Sequence, residues 1–224
     1  LIVNVATIDT NIIGHLYRSH TQFLIENLFS IVYVDEQIMV ELKRRCKDVV
    51  DPFEEELLKE DALYCKVTKQ EMITDSLYSI YNIELNGLED LFLPSDEGEK
   101  RAIALAKTKG AFFLLTDDTK PMDGPTHMIE NGIIPDMEVL AFWDLIFLNT
   151  IAGYITHEKA KDTYEFVASD GYIPDGFRSS FRSKMNQSMR RLVPKEWFTN
   201  WCKAKGIRRQ TIKDFKSYVS SIKD

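Results

Sequence analysis

Carboxylates stand in this chain where they do little for stability. Asp9 follows the β-branched run IVNVATI, and Asp117 and Asp118 follow the apolar run AFFLL. Between them Glu97 and Glu99 open the helix-forming stretch EGEKRAIALAKTK. At helical spacing Glu99 shares a face with Ala102, Ile103 and Ala106, the stripe that must turn inward. An ionised Glu there is costly unless it is paired or bound to a metal. Hard divalent cations take oxygen donors of this kind, and Mg²⁺ keeps several waters and needs only a few protein oxygens. The stretch from Ser95 to Asp118, a helix–strand unit with acids at both ends, therefore reads as part of a metal site.

Bringing these acids together requires a particular scaffold. Short apolar strands are expected at residues 2–8, 31–34, 63–68, 111–115 and 133–134, separated by helical patterns. Helices are expected from Ile12 through Leu28, from Asp35 to the break at Asp51-Pro52, over 53–60, within 69–92, over 97–109, at about 136–149 and over 156–169. Ser95 is the expected N-cap of the helix over 97–109 and Gly110 its C′ residue. Apolar rather than alternating strands between helices indicate an α/β fold, a parallel sheet covered on both faces. Ligands in such sheets bind outside the carboxyl ends of the strands, the edge that Asp9 and Asp117/Asp118 occupy.

The 224-residue chain is 44% hydrophobic and 11% aromatic, which suits a packed core rather than disorder. No apolar run reaches the roughly 18 residues of a membrane span, and no signal peptide is read at the N-terminus. Cys46, Cys65 and Cys202 fit no zinc spacing, so buried free thiols and a cytoplasmic setting are expected. The histidines His15, His20, His127 and His157 lack ligand spacing and are assigned to surface or packing roles. The chain contains no P-loop, GxGxxG or nucleophile elbow.

The net charge of −7 is unevenly spread. Residues 1–177 hold 15 Lys/Arg against 32 Asp/Glu, a net −17; residues 178–224 hold 13 against 3, a net +10. Two regions are expected, an acidic α/β domain over 1–177 and a basic helical extension over 178–224. In the extension Arg182, Lys184, Arg190, Arg191, Lys203, Lys205, Arg208 and Arg209 are interspersed with Phe181, Trp197, Phe198 and Trp201. This pattern admits two readings: cations on phosphates with aromatics stacked on bases, or aromatics docked on the body with cations in water or paired with its acids.

Four segments together resemble the PIN-domain nucleases, particularly small prokaryotic proteins of the toxin–antitoxin type: TIDTNIIGHL, VDEQIMVELKRR, SDEGEKRAIALAKTKGAFFLLTDD, and IIPDMEVLAFWDLIFLNTIAGYITHEKAKDTYEFVASDGY. The resemblance covers roughly residues 1–180. It implies a Rossmann-like α/β/α sandwich and Mg²⁺- or Mn²⁺-dependent endoribonuclease activity, with RNA as substrate. It further implies Asp9, Glu41, Glu99 and Asp118 as the catalytic acids, with Asp117 and Glu97 as neighbouring alternatives for metal binding. Thr10, Asn11 and Thr116 would be the hydrogen-bonding residues around them. A toxin or defence role, a protein inhibitor or antitoxin, and a homodimer belong to the same expectation. The chain departs from the family after the last aspartate, where TKPMDGPTHM offers Lys120 and Asp123 in place of a common arginine. Other accounts compete residue by residue: Asp9 as a helix N-cap, Glu41 as a partner of Arg45 at i+4, Glu99 as a helix-dipole acid, and one of Asp117/Asp118 as a turn residue. Two alternatives for the whole are a haloacid-dehalogenase-like phosphohydrolase, for which Asn11 stands where an aspartate is usual, and a non-catalytic RNA- or protein-binding module.

Overall fold

The structure, a computed structural model, describes residues 5–93, 96–118, 124–169 and 179–222. Residues 2–4 of the first expected strand, the Ser95 N-cap and the Lys120 and Asp123 positions lie outside the described residues. The chain forms two compact units, one containing Asn4–His20 and Phe29–Ala141, the other Thr21–Leu28 and Phe142–Asp224. The boundary expected near residue 177 also lies outside the described residues.

The first unit is built on five parallel strands: β1 (Val5–Ile8), β2 (Ile31–Asp35), β3 (Tyr64–Val67), β4 (Phe113–Leu115) and β5 (Glu138–Leu140), in the order β3-β2-β1-β4-β5. The chain steps outward from β1 to β3 and then returns to place β4 on the other side of β1. The order reverses between β1 and β4, and that reversal opens a crevice at their carboxyl ends.

Helices α1 (Thr10–Arg18), α3 (Glu36–Arg45), α4 (Lys47–Leu57), α5 (Lys69–Thr74), α6 (Tyr78–Gly87), α7 (Glu97–Lys109) and α8 (Pro125–Glu130) complete this unit. On one face Val5, Tyr33, Val67, Leu114 and Val139 pack against α5–α8, with Ile103, Met72, Tyr81 and Met128 in the same core. Alternate strand residues face the other way: Tyr64 meets Phe53 of α4 at 5.0 Å between ring centroids, and Phe53 meets Tyr17 of α1 at 5.5 Å. Both faces are covered, as the continuous apolar strands require.

Several expected elements differ. Pro52 does not break a helix; it sits inside α4, and the chain instead breaks at Cys46, whose φ/ψ of −135/53 is not helical. Pro52 removes one backbone bond, but Val49, Val50 and Phe53 still bury a common face. The last strand is Glu138–Leu140 rather than Ile133-Ile134, and the helix expected from about 136 starts at Phe142. The loop expected after Asp118 contains α8, with Pro125 at its first turn.

The second unit is helical: α2 (Phe23–Glu26), α9 (Phe142–Ile151), α10 (His157–Ser169), α11 (Phe181–Leu192), α12 (Glu196–Ala204) and α13 (Arg209–Ser221). Every residue of α9 is buried, consistent with a helix that is apolar all round. Phe198 of α12 and Phe215 of α13 lie 6.0 and 5.8 Å from Phe147 of α9, ring centroid to centroid. The basic C-terminal helices thus share one core with α9. Among the described residues no helix is long and apolar enough to cross a membrane.

Candidate active site

Asp9 comes directly after β1, and its amide donates to the Leu115 carbonyl at 2.9 Å, extending the β1–β4 pairing by one residue. Its carboxylate caps α1, accepting from the Thr10 amide at 2.7 Å. The N-cap account is therefore met, but only Oδ1 is used for it; Oδ2 accepts from the Thr116 hydroxyl at 3.2 Å. Thr116 in turn accepts from the Asp118 amide at 3.1 Å. The Thr-x-Asp frame thus has a physical basis: one hydroxyl ties Asp118 to Asp9 across the β1/β4 crevice.

Glu41 arrives from α3 and accepts from the Thr10 hydroxyl at 3.3 Å. Its i+4 partner Arg45 lies at 3.9 Å and is itself largely exposed. The carboxylate of Glu41 rests against the first turn of α7: a Cβ on Gly98 would fall 2.6 Å from Oε1 and 2.9 Å from Cδ. Only a glycine permits that approach of helix backbone to carboxylate. Glu99, next in the same turn, is buried. Helix α7 ends as expected at Gly110, whose φ of 67° is left-handed.

The electrostatics join these four acids. Burial pushes the Asp9 carboxyl up to about 7, against the pull of the Thr10 amide and Thr116 hydroxyl, and the charges of Glu41 and Asp118 push the same way. Burial also pushes Glu99 up to about 8, with Asp9, Asp118 and Glu41 adding to the rise. Among the described residues no cationic side chain forms an ion pair with Asp9 or Glu99. As they stand, no three His, Cys, Asp or Glu side chains among the described residues form a group that could hold a metal ion. The four acids share an electrostatic field without converging on one point.

The two alternative acids face elsewhere. Glu97 pairs with Lys100 at 2.8 Å and Arg101 at 2.6 Å. Asp117 is buried, with its Oδ2 3.4 Å from His15 Nε2. Burial, then the charge of Arg18, lowers His15 to about 4, so the imidazole is neutral at pH 7. Asn11 is half-buried and its side chain makes no hydrogen bond among the described residues.

Sequence reasoning missed the contribution of two residues here. Gly98 is a helix-breaking residue placed between two glutamates at a helix start, and that placement was a readable signal. His15 lies three residues beyond Ile12, on the inward stripe of α1.

Of the basic residues assigned to nucleic acid, Lys184 is buried with its Nζ 3.7 Å from the Trp143 ring centroid. Arg191 pairs with the fully buried Asp144 of α9, which also accepts from the Ser188 hydroxyl at 2.6 Å. Arg182 is half-buried and donates to the Ile222 carbonyl at 3.3 Å. Arg190, Lys203, Lys205, Arg208 and Arg209 are exposed. Phe181, Phe198 and Trp201 are buried and Trp197 is half-buried, so the first three offer no face for base stacking. Cys46 and Cys202 are buried free thiols, but Cys65, expected to be buried, is exposed on β3. No family model, curated protein or solved structure matches the chain.

Proposed function

We propose that the chain is a PIN-type, divalent-metal-dependent endoribonuclease acting through Asp9, Glu41, Glu99 and Asp118. The observation that carries this reading is the mutual field of four buried acids at the strand-order reversal, two of them driven far above their usual range. Such an arrangement is unfavourable without a cation, and perturbed groups in a crevice mark functional sites. The donor set is all carboxylate oxygen, which suits Mg²⁺ or Mn²⁺ rather than a softer ion. Holding the ion requires the carboxylates to close in from where they stand.

Asp9 and Asp118 would hold the ion directly, and Thr116 and Thr10 would fix the orientation of Asp9, Asp118 and Glu41. A bound Mg²⁺ or Mn²⁺ supplies charge neutralisation and Lewis-acid polarisation of the phosphodiester. Glu99, in its ionised form, would accept the proton of the attacking water at its carboxylate. Incubation of pooled RNA with Mg²⁺ or Mn²⁺ tests the reading. The expected result is internal cleavage by the wild type that is lost on Asp118→Asn; intact RNA, or release of free phosphate from small phosphoesters alone, would reject it.

Gly98→Ala should separate site geometry from folding. The new Cβ must displace the end of a flexible side chain, Glu41, so stability should change by about 1 kcal/mol or less. Cleavage should fall about tenfold or more because that carboxylate moves. Single-turnover cleavage and a thermal melt on the same sample read the two effects.

The raised acids also set the pH dependence. Asp9 and Glu99 hold protons in the fold to higher pH than in the unfolded chain, where their ordinary values are 3.8 and 4.5. Folding is therefore unpenalised below about pH 4, loses stability as pH rises, and carries the full penalty above about pH 8. Metal reverses that loss by binding the ionised acids. Mn²⁺ should raise the melting temperature at pH 8 and much less at pH 5, and a shift independent of pH would contradict this assignment.

A further inference from the structure

Helices α11, α12 and α13 enclose a groove lined by none of the four acids. Two neighbouring cavities, of about 410 and 300 Å³, share Val193 and Ile212 in their lining and together make up the groove. Its floor is apolar, with Val193, Phe198, Ile207 and Ile212. Arg190 and Lys216 stand at one end, and Lys203, Arg209 and Lys213 at the other. All five are exposed, and none makes a side-chain ion pair or hydrogen bond among the described residues. The inward cations of the same helices are engaged, Arg191 by Asp144 and Lys184 by Trp143. Glu196 and Asp214 are the acids on α11–α13, and Asp214 accepts from Gln210 at 2.7 Å.

A ligand for this groove must bring anionic and apolar surface together. A nucleic-acid strand supplies the anions, but the aromatics it would stack on, Phe198 and Trp201, are buried. An amphipathic helix rich in Asp and Glu supplies both: apolar residues at i, i+3, i+4 and i+7 fill the trough and flanking acids meet the cations at its rim. We propose that this groove is a docking site for an acidic amphipathic helix of a partner protein. The proposal stands apart from the nuclease reading and uses none of its four acids.

The test is fluorescence anisotropy with a labelled synthetic peptide carrying leucines at i, i+3, i+4 and i+7 and glutamates between them. The comparison probes are the same peptide with serine for leucine and a single-stranded RNA oligonucleotide. The leucine peptide should bind the full chain at least about tenfold more tightly than the serine peptide. Lys203→Glu/Lys213→Glu should weaken it about tenfold, and Lys216→Glu alone should weaken it in the same direction, with folding checked by circular dichroism. Equal binding of the two peptides would overturn the proposal, as would indifference to the charge reversals. RNA binding that depends on these lysines, with no peptide binding, would reassign the groove to nucleic acid.

Discussion

Asp9→Asn is expected to lower RNA cleavage by about 10³-fold or more, roughly 4 kcal/mol of transition-state stabilisation, while making the metal-free protein more stable. The two effects have one origin. Asp9 lies at the junction of β1, α1 and β4, almost fully buried, with Glu41 and Asp118 raising its proton affinity. Removing that charge relieves repulsion the fold otherwise sustains; the amide oxygen can still accept from the Thr10 amide, and its NH₂ can donate to the Thr116 hydroxyl. The melting temperature at pH 8 without metal should rise by roughly 3–6 °C, at about 2–4 °C per kcal/mol for a chain of this size. At pH 4, where the wild-type carboxyl is protonated, the two proteins should melt together. Asp118→Asn should share the loss of cleavage. A residue important only for folding would show the opposite sign, with lower stability and proportionate activity, so a melting curve and a cleavage rate on one variant decide between the roles.

Arg191→Ala should cost about 3–5 kcal/mol of stability, a fall in melting temperature of order 10 °C. Arg191 pairs with Asp144, which has no exposed surface and also accepts from the Ser188 hydroxyl. Truncating the arginine removes this cation from a buried carboxylate, an expensive way to break such a pair. Arg190, the preceding residue on the same helix, is exposed and unpaired among the described residues; Arg190→Ala should stay within about 0.5 kcal/mol. Asp144→Leu/Arg191→Met should recover much of the loss, because an apolar pair of similar volume incurs no desolvation cost. Equal effects of the two alanine variants in chemical denaturation would contradict this division between a structural arginine and a surface one.

The parts of the fold and site that were legible in the sequence share a physical signature. The β-branched run before Asp9, the apolar stripe of α7 and its Gly110 terminator each carry a strong local signal, and α7 spans the expected Glu97–Lys109. The candidate acids were readable because a carboxylate on an inward stripe or after a buried strand conflicts with its surroundings. Other features depended on tertiary contacts that a local pattern does not carry. Strand β5 has only three residues, and Val139-Leu140 runs into the apolar Ala141–Phe147 with no punctuation, so the whole stretch reads as one helix. Pro52 looked like a breaker because the packing of Val49 and Phe53 that holds α4 together is not local. Lys184 and Arg191 looked like part of a solvated basic run, yet their partners Trp143 and Asp144 lie some 40 residues upstream. Among the acids, the choice between Asp117 and Asp118 turns on the Thr116 hydroxyl bonding the Asp118 amide, while Asp117 faces His15.

The central claim is that these four carboxylates together hold a divalent cation, and calorimetric titration of Mn²⁺ into the full chain at pH 7.5 addresses it without reference to any substrate. Two buffers of different ionisation enthalpy report proton release. The account predicts saturable binding that expels protons from Asp9 and Glu99, falls sharply in Asp9→Asn, and survives Arg190→Ala. Absence of saturable binding, or binding that Asp9→Asn leaves unchanged, would contradict it.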